Sequence, residues 1–293
     1  MNDKIENHLN NDLLKIPPKK FHVGQFVLQI VMIITAILYL FPFLMCVFYA
    51  LKDRADIFNT LPIQPPTKIY FENFNEVVGK LKYFQIMGNT VIITAFSAII
   101  TVLFSSMIGY VISRTKKMYS NLLYYFFIVG LLIPYQAIFV PMYNWGGSLG
   151  FIDTFHGIIF FYVATSLPFG VFLMSSFMNT VPIEIEEAAL VDGANKIKTF
   201  FKIVVPMLKP AIATLIITQS FIYWNDYLMP LLFLQSNELS TITIGINRLF
   251  DQYREYYQVA FAGIIISSIP VVIVCTMLQR FFIKGISMGA FKS

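Results

Sequence analysis

The chain has 293 residues, of which 57% are hydrophobic and only 13% are charged, and its formal net charge at pH 7 is +5. Soluble domains carry about 25% charged residues, so the composition argues against a soluble enzyme or a soluble binding domain. The 21 Lys and Arg residues are dispersed along the chain, so the positive charge does not indicate a nucleic-acid-binding surface. The composition instead favours a membrane protein.

Long charge-free stretches predict six transmembrane helices. Five stretches contain no Asp, Glu, Lys or Arg, and a sixth contains only Asp226. About 20 apolar residues are enough to cross a hydrocarbon core of about 30 Å. The first stretch is too long for the apolar region of a cleavable signal peptide, so it is predicted to be an uncleaved span. The predicted helices are 26–51, 85–112, 121–142, 157–178, 210–235 and 259–279.

The segments that flank these helices alternate in positive charge. One alternate set holds 14 Lys and Arg residues, whereas the other set holds seven. An excess of positive charge marks the cytoplasmic side, which places both termini in the cytoplasm. We predict a cytoplasmic N-terminal arm at 1–25, a six-helix domain at 26–283 and a cytoplasmic C-terminal tail at 284–293. The richer set of flanks is 1–25, 113–120, 179–209 and 280–293.

The chain offers little that suggests covalent chemistry or metal binding. Cys46 and Cys275 lie inside predicted spans, and His8, His22 and His156 have no spacing typical of a metal site, so neither a disulfide nor a metal site is predicted. The sequence contains no phosphate-binding loop of the G-x-x-x-x-G-K-[ST] type. If ATP drives this protein, a separate subunit must hydrolyse it.

The segment from Val181 to Pro210 is charged and lies between two apolar spans. Pro182 suits the first turn of a helix, where its missing N–H costs nothing. Carboxylates in that turn stabilise the positive end of the helix dipole by roughly 0.3–1 kcal/mol each. Three of them follow here: Glu184, Glu186 and Glu187. Gly193 is placed to end this helix with a positive φ.

A second short helix is predicted directly after Gly193. Asn195 is a suitable N-cap. Four apolar residues then follow at helical spacing and predict a stripe that packs one face against the ends of the spans. The stripe consists of Ile197, Phe200, Phe201 and Val204. Taken alone, this periodicity fits an ordinary interfacial amphipathic loop equally well.

The residues of this segment carry a more specific pattern. EEAALVDGA, followed by FFKIVVP, resembles the E-A-A, Gly, Ile, Pro motif of the permeases of bacterial ATP-binding-cassette (ABC) importers. The matching positions are Glu187, Ala188, Ala189, Gly193, Ile203 and Pro206. The final RFFIKGISMGAFKS is similar to the closing sequence of maltose-type sugar permeases, except that Phe291 replaces a Val and Ser293 a Gly. The stretches 223–234 and 65–77 also resemble that subfamily, so the similarity covers nearly the whole chain from residue 26.

The resemblance implies a fold and a set of partners. It implies an all-α membrane protein of the ABC importer type I permease fold, with six transmembrane helices and a cytoplasmic coupling helix pair between helices 4 and 5. That pair occupies 180–207, here called the coupling segment. The implied location is the bacterial cytoplasmic membrane. The implied partners are a second homologous permease, two cytoplasmic ATPase subunits and an extracytoplasmic solute-binding protein, which delivers a sugar and meets the loop at 236–258.

The resemblance also implies site residues. In the family, the coupling helices sit in a cleft of the ATPase subunit, which binds ATP and Mg, so no cofactor and no catalytic residue is expected in this chain. The residues expected to contact the ATPase are Glu184, Glu187, Ala188, Ala189, Asp192, Gly193 and Ala194. Those expected to pack the coupling helices are Ile197, Phe200, Phe201, Ile203 and Pro206. The C-terminal tail is expected to make a second ATPase contact through Lys284, Gly285, Gly289 and Lys292.

Polar residues inside the predicted spans are candidates for the translocation path, because such residues tend to face the interior of a helix bundle. Their aromatic rings and neutral hydrogen-bonding groups suit a sugar, but they suit ordinary hydrogen bonds between helices as well. Asp226 lies roughly 24 Å along its helix from Pro210, near the outer boundary. Whether this subunit or its partner permease holds the sugar stays open. The candidates are Thr165, Ser166, Gln219, Tyr223, Asn225 and Asp226.

Three other functions fit parts of the sequence. An ion-coupled secondary transporter would need ionisable groups near the middle of the membrane, and Asp226 is the only acidic residue in a predicted span. An ABC importer permease for a solute other than a sugar would share the coupling segment. An intramembrane enzyme or an assembly scaffold is a third alternative, but the spans contain no cluster of His, Glu or Ser and Lys that would support catalysis.

Overall fold

The structure is a computed structural model that describes residues 23–115, 117–252 and 256–290. Most of the predicted N-terminal arm, and Lys292 of the predicted tail, lie outside these residues. Within them the chain is built from helices, including a 3-10 turn (Tyr135–Ile138) and a π-helix (Phe200–Val204). The α-helices are α1 (Val23–Leu51), α2 (Arg54–Asn59), α3 (Glu72–Lys80), α4 (Tyr83–Arg114), α5 (Met118–Leu132), α6 (Phe139–Ser148), α7 (Phe155–Met178), α8 (Ile183–Val191), α9 (Lys196–Thr199), α10 (Val205–Met207), α11 (Lys209–Asn225), α12 (Leu228–Phe233), α13 (Ile242–Gln252) and α14 (Tyr257–Ala290).

The chain divides into two compact units, one up to Cys46 and the other from Val47 onward. The first unit contains most of α1, a long apolar helix with Pro42 inside it. The second unit contains every other helix and all of the candidate site residues that the structure describes. The coupling segment and the candidate translocation path therefore belong to one body.

The helices are long and apolar enough to cross a membrane several times. Four single helices of the described residues meet this criterion, and the number rises to six if each of two bent helix pairs forms one span. The bends are 91° between α5 and the Tyr135–Ser148 run, and 75° between the Lys196–Met207 run and α11. The chain is therefore an all-α, multi-pass membrane protein, as predicted.

The predicted uninterrupted helix at 121–142 is wrong, because the chain breaks at Ile133 and Pro134. Ile133 has an extended conformation (φ −89°, ψ 113°), and the 3-10 turn and α6 follow at a bend of 91°. A proline disfavours the helical conformation of the residue before it and has no N–H to donate. The next helix then continues to Ser148, into the stretch predicted to be a glycine-rich loop.

The predicted helix at 210–235 is also interrupted. α11 ends at Asn225, and Asp226 is extended (φ −70°, ψ 134°) before α12 begins. The Asp226 carboxylate accepts a hydrogen bond from the N–H of Leu228 at 3.0 Å. Asp side chains that bond to nearby backbone N–H groups compete with helix continuation and favour a new helix start. The one acidic residue of the predicted span is therefore also the residue that breaks it.

α4 lies at the centre of the second unit and packs against α7, α11 and α5. Its contact with α7 is close because small residues meet there. A Cβ atom on Gly109 would lie 2.9 Å from the Ser175 backbone nitrogen, and one on Gly170 would lie 2.1 Å from the Ser105 hydroxyl. Small residues let helix backbones approach in a membrane, where no hydrophobic force drives helices together. α4 and α7 are thus held as a closely packed pair.

Candidate functional site

The coupling segment begins with α8, which starts directly after Pro182 (φ −60°, ψ 134°). Gly193 follows the helix with φ +83°. Its N–H donates to the Leu190 carbonyl at 3.1 Å, and the N–H of Ala194 donates to the Ala189 carbonyl at 3.0 Å. This pair of bonds is the Schellman arrangement, in which a left-handed residue lets the end of a helix satisfy its carbonyls. The predicted turn at Gly193 is therefore confirmed.

The second part of the coupling segment starts at Asn195. Its side-chain oxygen accepts a hydrogen bond from the Lys198 N–H at 2.8 Å, so the predicted N-cap is also confirmed. α9 passes directly into the π-helix and then into α10. The segment is thus two short helical runs that meet at the turn around Gly193, before the bend into α11.

The predicted apolar stripe is wrong as a single packed face. Phe200 and Val204 are buried, whereas Ile197 is 71% exposed and Phe201 is 48% exposed. A stripe at this spacing stays on one face only while each turn holds 3.6 residues. The π-helix has wider turns, so it shifts the later residues around the axis relative to the earlier ones. Of the other predicted packing residues, Ile203 is half-buried and Pro206 is exposed.

One face of α8 is open to the surroundings. We call it the coupling face and define it by the exposed residues Glu184, Glu187, Ala188 and Val191. Their spacing of i, i+3, i+4 and i+7 puts them on one side of the helix. Val191 is 87% exposed, which is unusual for an apolar side chain that has nothing to contact.

Not every residue predicted to contact the ATPase lies on this surface. Asp192 and Gly193 are exposed, but Ala194 is half-buried. Ala189 is only 8% exposed and packs within its own chain. Its side chain is therefore covered by its own chain, and an ATPase contact through this residue stays a prediction.

Glu186 points away from the coupling face and is 4% exposed. Its carboxylate accepts hydrogen bonds from Arg114 Nε at 2.7 Å and from the Tyr110 hydroxyl at 2.8 Å. Arg114 also donates through Nη2 to the Val181 carbonyl at 2.8 Å. The buried carboxylate is thus paired and hydrogen-bonded, which a buried charge requires. This cluster fastens the last turn of α4 to the coupling segment.

The sequence alone did not predict this ion pair. In the sequence, Glu186 is one of three carboxylates at the start of a helix, and Arg114 is a basic residue of the positively charged flank 113–120. The available signal was helical spacing, since Glu186 lies three residues before the buried Ala189 and on the face opposite Glu184 and Ala188. A carboxylate on an inward face needs a cation nearby.

A cavity of about 280 Å³ opens among α7, α11 and the two helix breaks. Five of the six predicted path residues lie on its wall: Thr165, Ser166, Gln219, Tyr223 and Asp226. Most of the remaining wall residues are aromatic or apolar, so a search for polar residues inside the predicted spans passes over them. These are Tyr135, Tyr162, Phe169, Thr218, Ile222 and Met229.

The polar groups of the cavity are ordered by direct hydrogen bonds. The Tyr162 hydroxyl donates to Asp226 Oδ2 at 3.0 Å, and the Tyr223 hydroxyl lies 3.0 Å from the Thr101 hydroxyl on α4. The rings of Tyr162 and Tyr223 pack with centroids 4.6 Å apart. Gln219 is 2% exposed, yet its side-chain carbonyl has no hydrogen-bond partner in the structure. The wall thus combines two packed aromatic rings with a buried side-chain carbonyl that has no partner among the described residues.

Both helix breaks face this cavity. Tyr135 comes from the break after α5, and Asp226 from the break after α11. Irregular backbone is tolerated at membrane depth where it is buried in protein or lines a cavity. Both breaks therefore lie where irregular backbone is tolerated inside a membrane protein.

Asn225 lies apart from the other predicted path residues. Its amide donates to the Phe221 carbonyl of its own helix at 2.8 Å. It lines a different cavity of about 280 Å³, together with Trp224 and Thr243. Asn225 is the last residue of α11, whereas Asp226 lies in the extended break that follows it. The structure thus places Asn225 on the wall of a different cavity from the other five candidates.

The loop predicted to meet a binding protein, 236–258, contains the helix α13. Asn89 of α4 holds its start by donating to the carbonyls of Glu238 and Ser240 at 2.7 and 3.0 Å. Asp153 braces the preceding turn by accepting from the N–H groups of Gln235 and Ser236. This loop is therefore fixed to the end of α4 that lies opposite the coupling segment.

The predicted C-terminal contact residues Lys284, Gly285 and Gly289 lie within α14, which continues to Ala290. The predicted end of the last helix at residue 279 is therefore wrong, and the cytoplasmic tail at 284–293 stays a prediction. Lys292 lies outside the described residues.

Comparison with known proteins agrees with this arrangement. Residues 101–288 match the family described as binding-protein-dependent transport system inner membrane component. A probable starch degradation products transport system permease protein of Thermoanaerobacterium thermosulfurigenes is 32% identical, over 94% of this chain and 99% of its own length. A melibiose/raffinose/stachyose import permease protein of Bacillus subtilis is 33% identical, over 88% of this chain and 94% of its own length.

The fold has a solved counterpart. A chain of a bacterial ABC transporter involved in the import of the acidic polysaccharide alginate matches with a TM-score of 0.81 and 21% identity, over 91% of this chain and 99% of that chain. This likeness confirms the predicted ABC importer permease fold. With the family match extending over most of the membrane domain and the coupling segment, the chain belongs to the family of binding-protein-dependent transport system inner membrane components.

Proposed function

We propose that this chain is one of two permease subunits of an ATP-driven importer that takes up a sugar or an oligosaccharide. An extracytoplasmic binding protein delivers the solute, and two cytoplasmic ATPase subunits bind ATP and Mg and drive the cycle. The full-length similarity to permeases named for starch degradation products and for melibiose, raffinose and stachyose supports this reading. The chain itself catalyses no covalent step.

The observation that carries the sugar assignment is the composition of the cavity. Its wall combines the rings of Tyr162 and Tyr223 with hydroxyl groups and with the unpartnered carbonyl of Gln219. Binding sites for small molecules are mostly apolar and aromatic, with a few placed polar groups that fix orientation. A sugar presents flat apolar faces and many hydroxyl groups, so this wall matches both of its surfaces.

The coupling face supports the ATP-driven mechanism. Its small and apolar residues Ala188 and Val191 are exposed on a short helix whose opposite side is fixed to the bundle through Glu186. A rigid helix that docks in an ATPase cleft transmits displacement to the spans. ATP binding then brings the ATPase subunits together, and the cavity becomes accessible from the extracytoplasmic side.

Uptake by the reconstituted importer tests the proposal. The four-subunit complex and its binding protein are assayed in proteoliposomes with radiolabelled maltotriose, raffinose and arabinotriose, and with leucine and spermidine as solutes of other classes. We expect ATP-dependent uptake of at least one sugar, which a protonophore does not reduce. Uptake of leucine or spermidine in place of the sugars, or uptake that needs an ion gradient instead of ATP, would refute the proposal.

Orientation is tested with single cysteines in a variant that lacks Cys46 and Cys275. The first variant carries Lys117→Cys, in the loop between α4 and α5. The second carries Glu238→Cys, near the opposite end of α4, and both positions are exposed. The excess of Lys and Arg at the coupling-segment end predicts that this end faces the cytoplasm. An impermeant maleimide should label Glu238→Cys in right-side-out vesicles and Lys117→Cys in inverted vesicles. The reverse pattern would overturn the assigned topology.

A further inference from the structure

Arg114 and Glu186 join α4 to the coupling segment. We propose that this buried ion pair is the joint through which α4 carries the displacement of the coupling segment to the transport cavity. Both are positioning residues, which act through α4 without touching the sugar. The inference rests on the proposed function and deepens it by naming the residues that transmit the movement.

The joint connects α4 to both parts of the coupling segment. Arg114 and Tyr110 lie one helical turn apart on α4, and both donate to the Glu186 carboxylate of α8. The ring of Tyr110 also packs against Phe200 of the π-helix, with ring centroids 5.0 Å apart. Arg114 further binds the Val181 carbonyl, just before α8. A displacement of either helical run therefore acts on the same turn of α4.

The chemistry of the joint suits positioning better than stability. A buried ion pair costs desolvation of both charges, and apolar residues of similar size often stabilise a protein equally well. Hydrogen bonds between charged groups are short and directional, so they fix the angle between two elements. An apolar contact would let α8 slide over α4, whereas this pair holds one arrangement.

α4 is the continuous route from the joint to the cavity. It runs from Tyr83 to Arg114 without interruption and contains no proline. Thr101 lies 13 residues before Arg114, roughly 20 Å along the helix, and it contacts the Tyr223 hydroxyl at the cavity wall. At its other end, the hydroxyl of Thr90 accepts a hydrogen bond from the N–H of Ile242 in α13.

The other helices on the cavity wall are less direct connections. α11 is separated from the coupling segment by a bend of 75°. α7 contains Pro168 among its own cavity residues, after Thr165 and Ser166 and directly before Phe169. A proline inside a helix removes one backbone hydrogen bond and favours a kink. α4 is therefore the element best suited to move as one body.

The test measures accessibility of the cavity and needs no sugar. The complete importer lacks Cys46 and Cys275 and carries Thr165→Cys as a reporter on the cavity wall. Labelling of this cysteine by an impermeant maleimide from the extracytoplasmic side is measured without nucleotide and after trapping with MgATP and vanadate. The gain in labelling is divided by the amount of trapped nucleotide. This ratio distinguishes a loss of transmission to the cavity from a loss of assembled, nucleotide-binding importer.

The variants are Glu186→Gln, Arg114→Lys and Tyr110→Phe. The matched control is Glu76→Gln, which also removes a carboxylate from an ion pair, but from the exposed pair with Lys80 on α3. We expect Glu186→Gln to reduce the gain per trapped nucleotide about tenfold, within the usual range for coupling between two sites. Arg114→Lys, which keeps the charge but loses the fork of donors, should retain part of the gain, and Glu76→Gln should retain all of it.

Three outcomes decide the inference. An unchanged gain per trapped nucleotide in Glu186→Gln and Arg114→Lys would overturn it. If the Glu186→Gln importer does not assemble, the same measurement on the milder variants Arg114→Lys and Tyr110→Phe tests the inference. Variants that assemble in smaller amounts but keep an unchanged gain per trapped nucleotide would show that the ion pair has a purely structural role, which would also overturn the inference. Absence of any ATP-dependent gain in the reporter without further substitutions would count against the proposed function instead, so the two failures are distinguishable.

Discussion

Gly193 shows how one residue controls the shape of the coupling segment. Its φ of +83° is left-handed, and a Cβ at this position would meet no atom within 4 Å. A larger side chain therefore fits in space, and the cost arises from the backbone alone, about 1–2 kcal/mol. Asparagine tolerates this region far better than a β-branched residue does.

We expect Gly193→Val to lower ATP-dependent uptake and the amount of ATPase that co-purifies with the permease, because the turn between the two helical runs is distorted. Gly193→Asn, the matched control, should keep most of both. Uptake that is equal in the two variants would show that the left-handed conformation is not what this position requires.

A second prediction at the residue scale concerns Gln219. Its side-chain carbonyl is buried without a partner on the cavity wall, whereas Gln258 has an equally unpartnered carbonyl and does not line this cavity. A neutral hydrogen bond contributes about 0.5–1.5 kcal/mol. Gln219→Met should therefore raise the KM for the transported sugar about 2- to 10-fold with little effect on thermal stability.

Gln258→Met is the control for this experiment, because it removes the same group from a different buried environment. Its KM for the sugar should match that of the unmodified importer. If both variants raise KM equally, or if Gln219→Met lowers the melting temperature instead of raising KM, the carbonyl of Gln219 does not serve the solute.

At the scale of the elements, the sequence predicts which stretches cross the membrane but not where they break. A charge-free window reports the length of an apolar stretch and carries no information on its continuity. Pro134 was visible in the sequence, yet proline is tolerated inside α1 and α7, so its presence alone did not decide between a kink and a break. The break at Asp226 is accompanied by a hydrogen bond from the Leu228 N–H to the Asp226 carboxylate, a contact that the sequence does not predict.

In the coupling segment, too, the sequence predicts some features and only the structure reveals the others. Gly193 and Asn195 act through bonds to residues within five positions, so their roles follow from local rules. The pairing of Arg114 with Glu186 spans 72 positions and depends on the register of α4 against α8. Helical spacing indicates that Glu186 faces inward, but it does not identify the cation that meets it. The apolar stripe failed because the π-helix changes the number of residues per turn.

A prediction at the scale of the elements concerns the helix break at Pro134. In Pro134→Ala the constraint on Ile133 is removed, so the helix can continue and carry Tyr135 away from the cavity. An aromatic contact contributes about 0.5–1.5 kcal/mol, so we expect the KM for the sugar to rise about 2- to 10-fold. Pro42→Ala is the control, since Pro42 lies inside α1 without breaking it. An unchanged KM in Pro134→Ala would show that the break does not shape the cavity.

At the scale of the whole molecule, three candidate functional regions of the second unit lie at different positions along α4. The coupling face lies at one end, the cavity in the middle and the loop containing α13 at the other end. This order follows from the chain, because 32 helical residues extend roughly 48 Å, more than the thickness of a hydrocarbon core. A partner bound at one end can therefore affect the cavity only through the helices that connect them.

The final prediction concerns the proposed docking of an ATPase on the coupling face. Ala188 is exposed on this face, and its small side chain lets a partner approach closely. Overpacking a tight contact costs about 1–3 kcal/mol, so Ala188→Trp should weaken ATPase binding about 10- to 100-fold. Ala55→Trp places the same bulk on α2, at the other end of the unit, and should leave binding unchanged. The amount of ATPase retained on the purified permease measures the effect, and equal retention by both variants would mean that α8 does not form the docking surface.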